Sequence, residues 1–329
     1  MSKRRHLKNY GPVGFALVVL VVVGAFYFLQ SPAKALTPEE YQELEGRLIS
    51  LVRDHSPRAA LDELSGRIEK DERVLRMCHP LVHAIGHEAY EKYDLVGEAL
   101  AYTDDVCGSG YIHGVLESYI DEHGYSKTAL HQLCGTYEPG AGQDNCYHGV
   151  GHGLMFYSGN DVPGSVRACD ELSFQKARLR CSEGVFMENF ASDEENHPSD
   201  YLNPEDPFTI CRAQDKPYQK DTCYFYAPTY YLSVHSGAYE AVFLWCQHAE
   251  EGFVRTCIKG AASRVTKDNS RRISYVAHVC RALPRSYRGA CAAGIGSYHY
   301  TQFADVQKTR ALCEGLYVDL RDACKSVLP

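Results

Sequence analysis

A stretch that recurs three times near the C-terminus decides the fold: it reads CQHAEEGFVRTC at residues 246–257, CRALPRSYRGAC at residues 280–291 and CEGLYVDLRDAC at residues 313–324. In each copy two cysteines lie 11 residues apart, and the second cysteines follow one another at intervals of 34 and 33 residues. A fixed period of this length is typical of stacked helical hairpins. We therefore predict that each copy spans the connection between two antiparallel helices.

The cysteine pairs continue upstream of this stretch. Three further pairs have their cysteines 12 residues apart, and only the first pair is wider. Antiparallel helices next to a tight connection can bring two Cα atoms to the separation that a disulfide needs. We therefore predict that the 14 cysteines form sequential disulfides, each adding roughly 2–3 kcal/mol of stability. The predicted disulfides are Cys78–Cys107, Cys134–Cys146, Cys169–Cys181, Cys211–Cys223, Cys246–Cys257, Cys280–Cys291 and Cys313–Cys324.

A glycine lies three residues after five of the second cysteines. Glycine inside a helix costs up to about 1 kcal/mol, so a recurrent one indicates close helix–helix approach. The glycines are Gly110, Gly149, Gly184, Gly260 and Gly294. The sequence thus predicts an all-α fold, a disulfide-stapled α-hairpin solenoid of about seven units behind a single N-terminal transmembrane helix.

The composition excludes several classes of function. The chain has 329 residues, of which 45% are hydrophobic and 23% charged, and its net charge is −8. Nucleic-acid binders usually have a basic face, so no nucleic-acid partner is expected. The chain lacks Cys-x-x-Cys, which disfavours redox exchange, zinc ribbons and haem attachment, and it has no nucleotide-binding motif.

The N-terminal part predicts attachment to a membrane. Residues 1–12 are basic, residues 13–30 are apolar and fit a transmembrane signal anchor, and residues 31–70 form capping or stalk helices ahead of the cysteine-rich repeats at 71–329. The excess of basic residues before the span predicts a cytoplasmic N-terminus, a single pass through the cell membrane and an extracytoplasmic C-terminal domain, with the lipid bilayer as a partner. A cleaved signal, cut after Ala35, remains the alternative. Either arrangement places the cysteines where disulfides persist.

Stacked hairpins of about 34 residues, each with its own disulfide, resemble cysteine-rich proteins of the Sel1-like and tetratricopeptide superfamily. The resemblance covers residues 78–324 and implies a helical solenoid that binds a partner protein or ligand on its repeat surface. The spacing of 11 or 12 residues is wider than in Sel1-like units, and the tetratricopeptide Trp and Leu-Gly positions are absent. No functional residue is therefore transferred from the family.

Histidines form the one chemically suggestive cluster. Two of them recur six residues after a second cysteine, at His113 and His152, and others are spaced four residues apart, which places them on one helical face. Imidazoles in this arrangement can bind Zn, Cu or Fe. The candidate ligands are His83, His87, His113, His148 and His152.

These histidines have two interpretations, and so has the function. They are either polar groups satisfied between packed helices or ligands of a metal ion. We predict a membrane-anchored extracytoplasmic binding scaffold with a histidine-rich transition-metal site in its first repeats. The alternative is a metal-dependent enzyme in which Glu117 or Glu88 serves as base or ligand.

Overall fold

The computed structural model describes residues 36–191 and 199–329, and all of their regular secondary structure is helical. The helices are α1 (Pro38–Asp54), α2 (Pro57–Ile68), α3 (Glu72–Tyr93), α4 (Val96–Leu100), α5 (Val106–His123), α6 (Lys127–Cys134), α7 (Ala141–Tyr157), α8 (Val162–Asp170), α9 (Gln175–Ala191), α10 (Thr209–Arg212), α11 (Pro217–Val234), α12 (Ala241–Trp245), α13 (Val254–Asp268), α14 (Ile273–Ala282), α15 (Arg285–Phe303), α16 (Val306–Glu314) and α17 (Arg321–Lys325). The all-α prediction is confirmed for these residues.

The first two helices pack on α3, ahead of the repeats. Thr37 begins α1 with a capping box: its hydroxyl accepts from the backbone N–H of Glu40, whose carboxylate accepts from the backbone N–H of Thr37. Leu44, Leu48 and Val52 form the buried stripe of this helix. The described residues belong to one compact unit, so α1 and α2 are part of the same unit as the repeats, and the boundary after residue 70 stays a prediction.

The predicted membrane anchor lies outside the described residues. The sequence predicts the anchor at residues 13–30, and the structure describes the chain from residue 36 onward. Among the helices that are described, none combines the length and the apolar character that a bilayer crossing requires.

Short and long helices alternate along the repeats. The long helices α3, α5, α7, α9, α11, α13 and α15 pack side by side in chain order. Their glycines permit this: a Cβ on Gly184 would overlap the carbonyl oxygen of His148, and one on Gly260 would overlap that of Phe225. The expectation that the recurrent glycines mark close helix–helix approach is confirmed.

All seven disulfides connect the predicted cysteines, with Cα–Cα separations from 5.3 to 5.7 Å. The prediction of one disulfide per hairpin is wrong for the first of them. Cys78 lies within α3 and Cys107 at the start of α5, so this bond joins two consecutive long helices. The other disulfides link a short helical segment to the helix that follows it.

The repeats close into a ring, which differs from the expected open solenoid. On α15, the side-chain amide of Gln302 donates to Cys78 Sγ on α3 at 3.2 Å. At the loop after α13, the Ser270 hydroxyl donates to a carboxylate oxygen of Glu72 at 3.2 Å. Since the last long helix contacts the first ones, the concave surface of the array becomes the wall of a central cavity.

Candidate metal centre

The first histidine pair stands on α3. His79 and His83 are four residues apart, and their Nε2 atoms lie 3.1 Å from each other. This helix begins about two turns before Pro80, at Glu72, behind the Asp71 N-cap. The pair therefore lies in the interior of a long helix, whose backbone fixes the spacing of the two rings.

The second pair repeats this geometry on α7. His148 and His152 are again four residues apart, with their Nε2 atoms at 3.2 Å. Both are buried, with 6% and 2% of their surface exposed. Gly151 on the same helix contacts Gly184 of α9 so closely that a Cβ would clash there. Tight packing against α9 thus holds the second pair in place.

His113 of α5 lies between the two pairs. Its ring stacks on His152 with centroids 4.7 Å apart and lies 5.3 Å from the ring of His83. Its Nδ1 has no hydrogen-bond partner, although only 2% of the residue is exposed. Candidate ligand atoms lie within 4.8 Å of one another both in His79, His83 and His113 and in His113, His148 and His152. We call these five residues the histidine cluster.

Hydrogen bonds fix the tautomers of the first pair. His79 Nδ1 lies 2.7 Å from the carbonyl oxygen of Cys107, and His83 Nδ1 lies 3.0 Å from a carboxylate oxygen of Glu117. Since both oxygens can only accept, both Nδ1 atoms must carry the hydrogen. In the neutral rings each Nε2 then presents a lone pair, and the two lone pairs face each other at 3.1 Å. Such a contact is repulsive unless a proton or a metal ion lies between the nitrogens.

In the second pair, only His152 has an acceptor on its outer nitrogen, as both rings of the first pair do. His152 Nδ1 donates to a carboxylate oxygen of Glu188 at 2.8 Å, so its Nε2 also presents a lone pair. His148 Nδ1 has no hydrogen-bond partner, since the nearest oxygen of Glu183 is 3.9 Å away. Carboxylates on the outer nitrogens of ligating histidines orient the rings and raise the basicity of the inner nitrogens.

The distances within the pairs match those of metal ligands. With metal–nitrogen bonds of 2.0–2.1 Å, neighbouring ligand nitrogens are about 3.3 Å apart in a tetrahedron and about 2.9 Å apart in an octahedron. The observed 3.1 and 3.2 Å lie between these values. Burial, reinforced by the charge of neighbouring histidines, lowers the pKa of His79, His113 and His148 well below its usual value. These rings are therefore neutral at pH 7, as metal binding requires.

Glu117 connects the cluster to His87. Burial alone would raise the pKa of the Glu117 carboxyl, but the charge of His83 and the hydrogen bonds from His83 and His87 hold it well below its usual range. Burial would lower the pKa of His87, yet the hydrogen bond to Glu117 and its charge raise it. His87 Nε2 lies 2.9 Å from Glu117, and its Nδ1 lies 2.8 Å from the Ser118 hydroxyl. With both nitrogens occupied, His87 holds Glu117 in position.

A left-handed turn starts α5 beside the cluster. Cys107, Gly108 and Ser109 have φ values of 56°, 72° and 60°, a conformation that is unfavourable for residues with a Cβ. The disulfide to Cys78 fastens this turn to α3. The turn thereby directs the Cys107 carbonyl at His79, and this contact fixes the tautomer of that ring.

The structure brings together all five predicted histidines and Glu117, whereas Glu88 lies away from them. The Glu88 carboxylate pairs with Arg53 at 2.7 Å and does not line the cavity, so its assignment as base or ligand is wrong. Sequence reasoning omitted His79 and Glu188. The four-residue spacing to His83 is a signal for His79, whereas no motif marks Glu188.

The histidine cluster occupies one part of a cavity of about 1090 Å³. Within the described residues, the long helices and Tyr41 of α1 line this cavity, and the short helices do not. The positions six residues after successive second cysteines all lie on its wall: they are His113, His152, Met187, Thr229, Ser263 and Ser297. Only the first two of these positions carry metal ligands, which confines the candidate site to the first repeats.

Comparison with known proteins adds no assignment. No family model, no curated protein and no solved structure matches the chain. The case for function therefore depends on the geometry of the cavity.

Proposed function

We propose that this protein binds a transition-metal ion in the histidine cluster and presents it to a small molecule inside the cavity. The ligands are the inner nitrogens of the cluster, and Glu117 and Glu188 orient two of the rings from outside. Imidazole ligands suit Zn, Cu and Fe, so the ion belongs to this group. Ring closure makes a small molecule a more suitable ligand than the partner protein expected on an open solenoid.

One observation carries this proposal: the opposed Nε2 lone pairs of His79 and His83. The alternative to a metal ion is a proton on one of the two rings. A single proton would relieve this pair, and a hydrogen on His148 Nε2 would satisfy the pair His148–His152, yet the buried Nδ1 atoms of His113 and His148 would still have no partner. A metal ion bound by His113 together with either pair would use nitrogens that otherwise lack partners, and for this reason it accounts better for the cluster.

The first experiment measures the metal content of the full chain, purified with its disulfides intact and supplemented with zinc, copper or iron. We expect about one equivalent of one of these metals, by analogy with other closed histidine sites. His83→Ala and His152→Ala should each lose it. The matched control is His278→Ala, because His278 is exposed on α14 and should leave the content unchanged. Less than about a tenth of an equivalent in the unsubstituted protein would refute the proposal.

A metal-dependent enzyme is the second candidate, favoured by the cavity that adjoins the cluster. The low pKa of Glu117 makes its carboxylate a weak base, so here it acts as a ligand or positions His83. Catalysis would then depend on an exchangeable position at the metal, as in catalytic zinc sites. Azide added to the Co²⁺-substituted protein tests this: a change in the visible spectrum supports an open position, and an unchanged spectrum leaves a closed binding site.

We also propose an extracytoplasmic location with an N-terminal membrane anchor. Support for the compartment comes from the seven disulfides, since such bonds are rare in the cytosol. Support for the anchor comes from the apolar residues 13–30. Carbonate extraction of membranes, with and without residues 1–35, tests the attachment: an anchored chain stays in the pellet only when these residues are present.

A further inference from the structure

The inner face of α13 carries positive charge into the cavity. Lys259, Ser263 and Lys267 are spaced four residues apart, so they lie on one face of the helix, and Arg264 adjoins them. All four line the cavity that holds the histidine cluster. This face is separate from the proposed metal ligands, which lie on α3, α5 and α7.

Donor groups on this face lack hydrogen-bond acceptors among the described residues. No hydrogen bond or ion pair occupies the ammonium group of Lys267, and that of Lys259 lies over the Phe225 ring at 5.7 Å. Arg264 Nε is buried without a hydrogen bond, its nearest carboxylate oxygen belonging to Asp268 at 3.6 Å. Buried donors without acceptors are costly, so they indicate a group that the protein is built to receive.

Tyr298 of α15 adds a further donor at the same place. Its hydroxyl is buried and has no hydrogen-bond partner, and the charges of Arg264 and Asp268 both act on it. Arg264, Lys267 and Tyr298 therefore offer three donors, and Asp268 is the carboxylate nearest to them. A ligand that supplies acceptors and negative charge would complete this group.

The donors also lie next to the histidine cluster. Thr301, one turn beyond Tyr298 on α15, and the His79 ring both lie within 4 Å of the position that a Cβ on Gly108 would take. A small molecule held at Lys267 would thus have its other end close to the proposed metal ion. The cavity volume of about 1090 Å³ leaves room for a molecule of this kind.

We infer that Lys267, Arg264 and Tyr298 bind the oxyanion group of a small molecule, a carboxylate or a phosphate, beside the histidine cluster. Only the position of the molecule's other end rests on the proposed metal centre. Binding of the oxyanion itself depends on the three donors and does not need the metal.

The test is calorimetric titration of the metal-free full chain with inorganic phosphate and, separately, with succinate, at constant ionic strength. Binding of either supports the inference, and the stronger of the two identifies the headgroup. Lys267→Met should weaken binding at least about tenfold, since it removes a charge-assisted hydrogen bond. The matched control is Lys70→Met, because Lys70 is exposed outside the cavity and should leave the affinity unchanged. Failure of both anions to bind, or equal affinity in Lys267→Met, would overturn the inference.

A second variant covers the case in which Lys267→Met does not fold. Tyr298→Phe removes only a hydroxyl, and we expect it to weaken binding several-fold while the thermal unfolding midpoint stays within a few degrees of wild type. An unchanged affinity would exclude Tyr298 from the site. Metal content separates the two proposals. Lys267→Met should retain its metal. If the unsubstituted chain binds the anion but no metal, the oxyanion site stands and the proposed metal site fails.

Discussion

Replacing Glu117 by glutamine tests whether this carboxylate fixes the ring tautomers of the proposed metal centre. Glu117 accepts from His83 Nδ1 at 3.0 Å and from His87 Nε2 at 2.9 Å, using both of its oxygens. Glutamine has one acceptor oxygen and one NH₂ group, so one of the two ring N–H groups loses its acceptor. If His83 changes tautomer to avoid the NH₂ group, its hydrogen moves to Nε2 and blocks the nitrogen that binds the metal.

The magnitude follows from the loss of this oriented ligand. Removing the outer partner of a ligating histidine typically weakens metal binding 10- to 100-fold, or by about 1.4 to 2.8 kcal/mol. At a free metal concentration of 100 times the wild-type Kd, the metal stabilises the wild-type fold by about 2.7 kcal/mol. A 100-fold weaker site retains only about 0.4 kcal/mol of this stabilisation under the same conditions.

The assay combines competition with a chelator, which gives the metal Kd, and denaturant unfolding with and without metal. Glu122→Gln is the matched control, because Glu122 lies on the same helix, accepts a hydrogen bond from Tyr90 and does not line the cavity. Metal-free Glu117→Gln must unfold cooperatively for the comparison to hold. The reasoning is refuted if Glu117→Gln binds the metal as tightly as wild type or Glu122→Gln.

Three further predictions concern stability and pH. Burial lowers the pKa of His299 to about 4, so between pH 6.5 and about 4 the unfolded chain binds a proton that the folded chain does not. The free energy of unfolding should therefore decrease by up to about 3 kcal/mol as the pH is lowered from 6.5 to about 4. Urea unfolding of His299→Gln should show a weaker pH dependence. Gly260→Ala should destabilise the fold by about 1–3 kcal/mol, because its Cβ would overlap the Phe225 carbonyl oxygen. Gly46→Ala should stabilise α1 by up to about 1 kcal/mol, because a Cβ there would have nothing within 4 Å. Thermal unfolding midpoints that shift in the same direction in both variants would contradict this. Burial lowers the pKa of Lys267 to about 8, so calorimetric phosphate affinity should fall as pH rises beyond that value, and a constant affinity up to pH 10 would exclude the ammonium group.

Local patterns in the sequence were sufficient to predict the helical hairpins and the pairing of their cysteines in disulfides. The period near 34 residues placed the connections, and cysteines 11 or 12 residues apart could pair only across them. Six of the second cysteines are followed six residues later by a residue in the same register, and all six of these residues line the cavity. These features are readable because a repeat imposes the same local geometry on every unit.

Only the tertiary structure decided that this surface closes into a cavity and which side chains complete the site. Ring closure depends on contacts such as Gln302 to Cys78, 224 residues apart, which arise from small rotations summed over all the repeats. Glu188 reaches His152 because α9 packs against α7, while Glu88, beside a predicted ligand in sequence, points to Arg53 instead. Residues four apart on a helix share a face, whereas adjacent residues point in different directions, so the sequence alone determined which histidines lie together. Packing between helices determined which carboxylates contact those histidines.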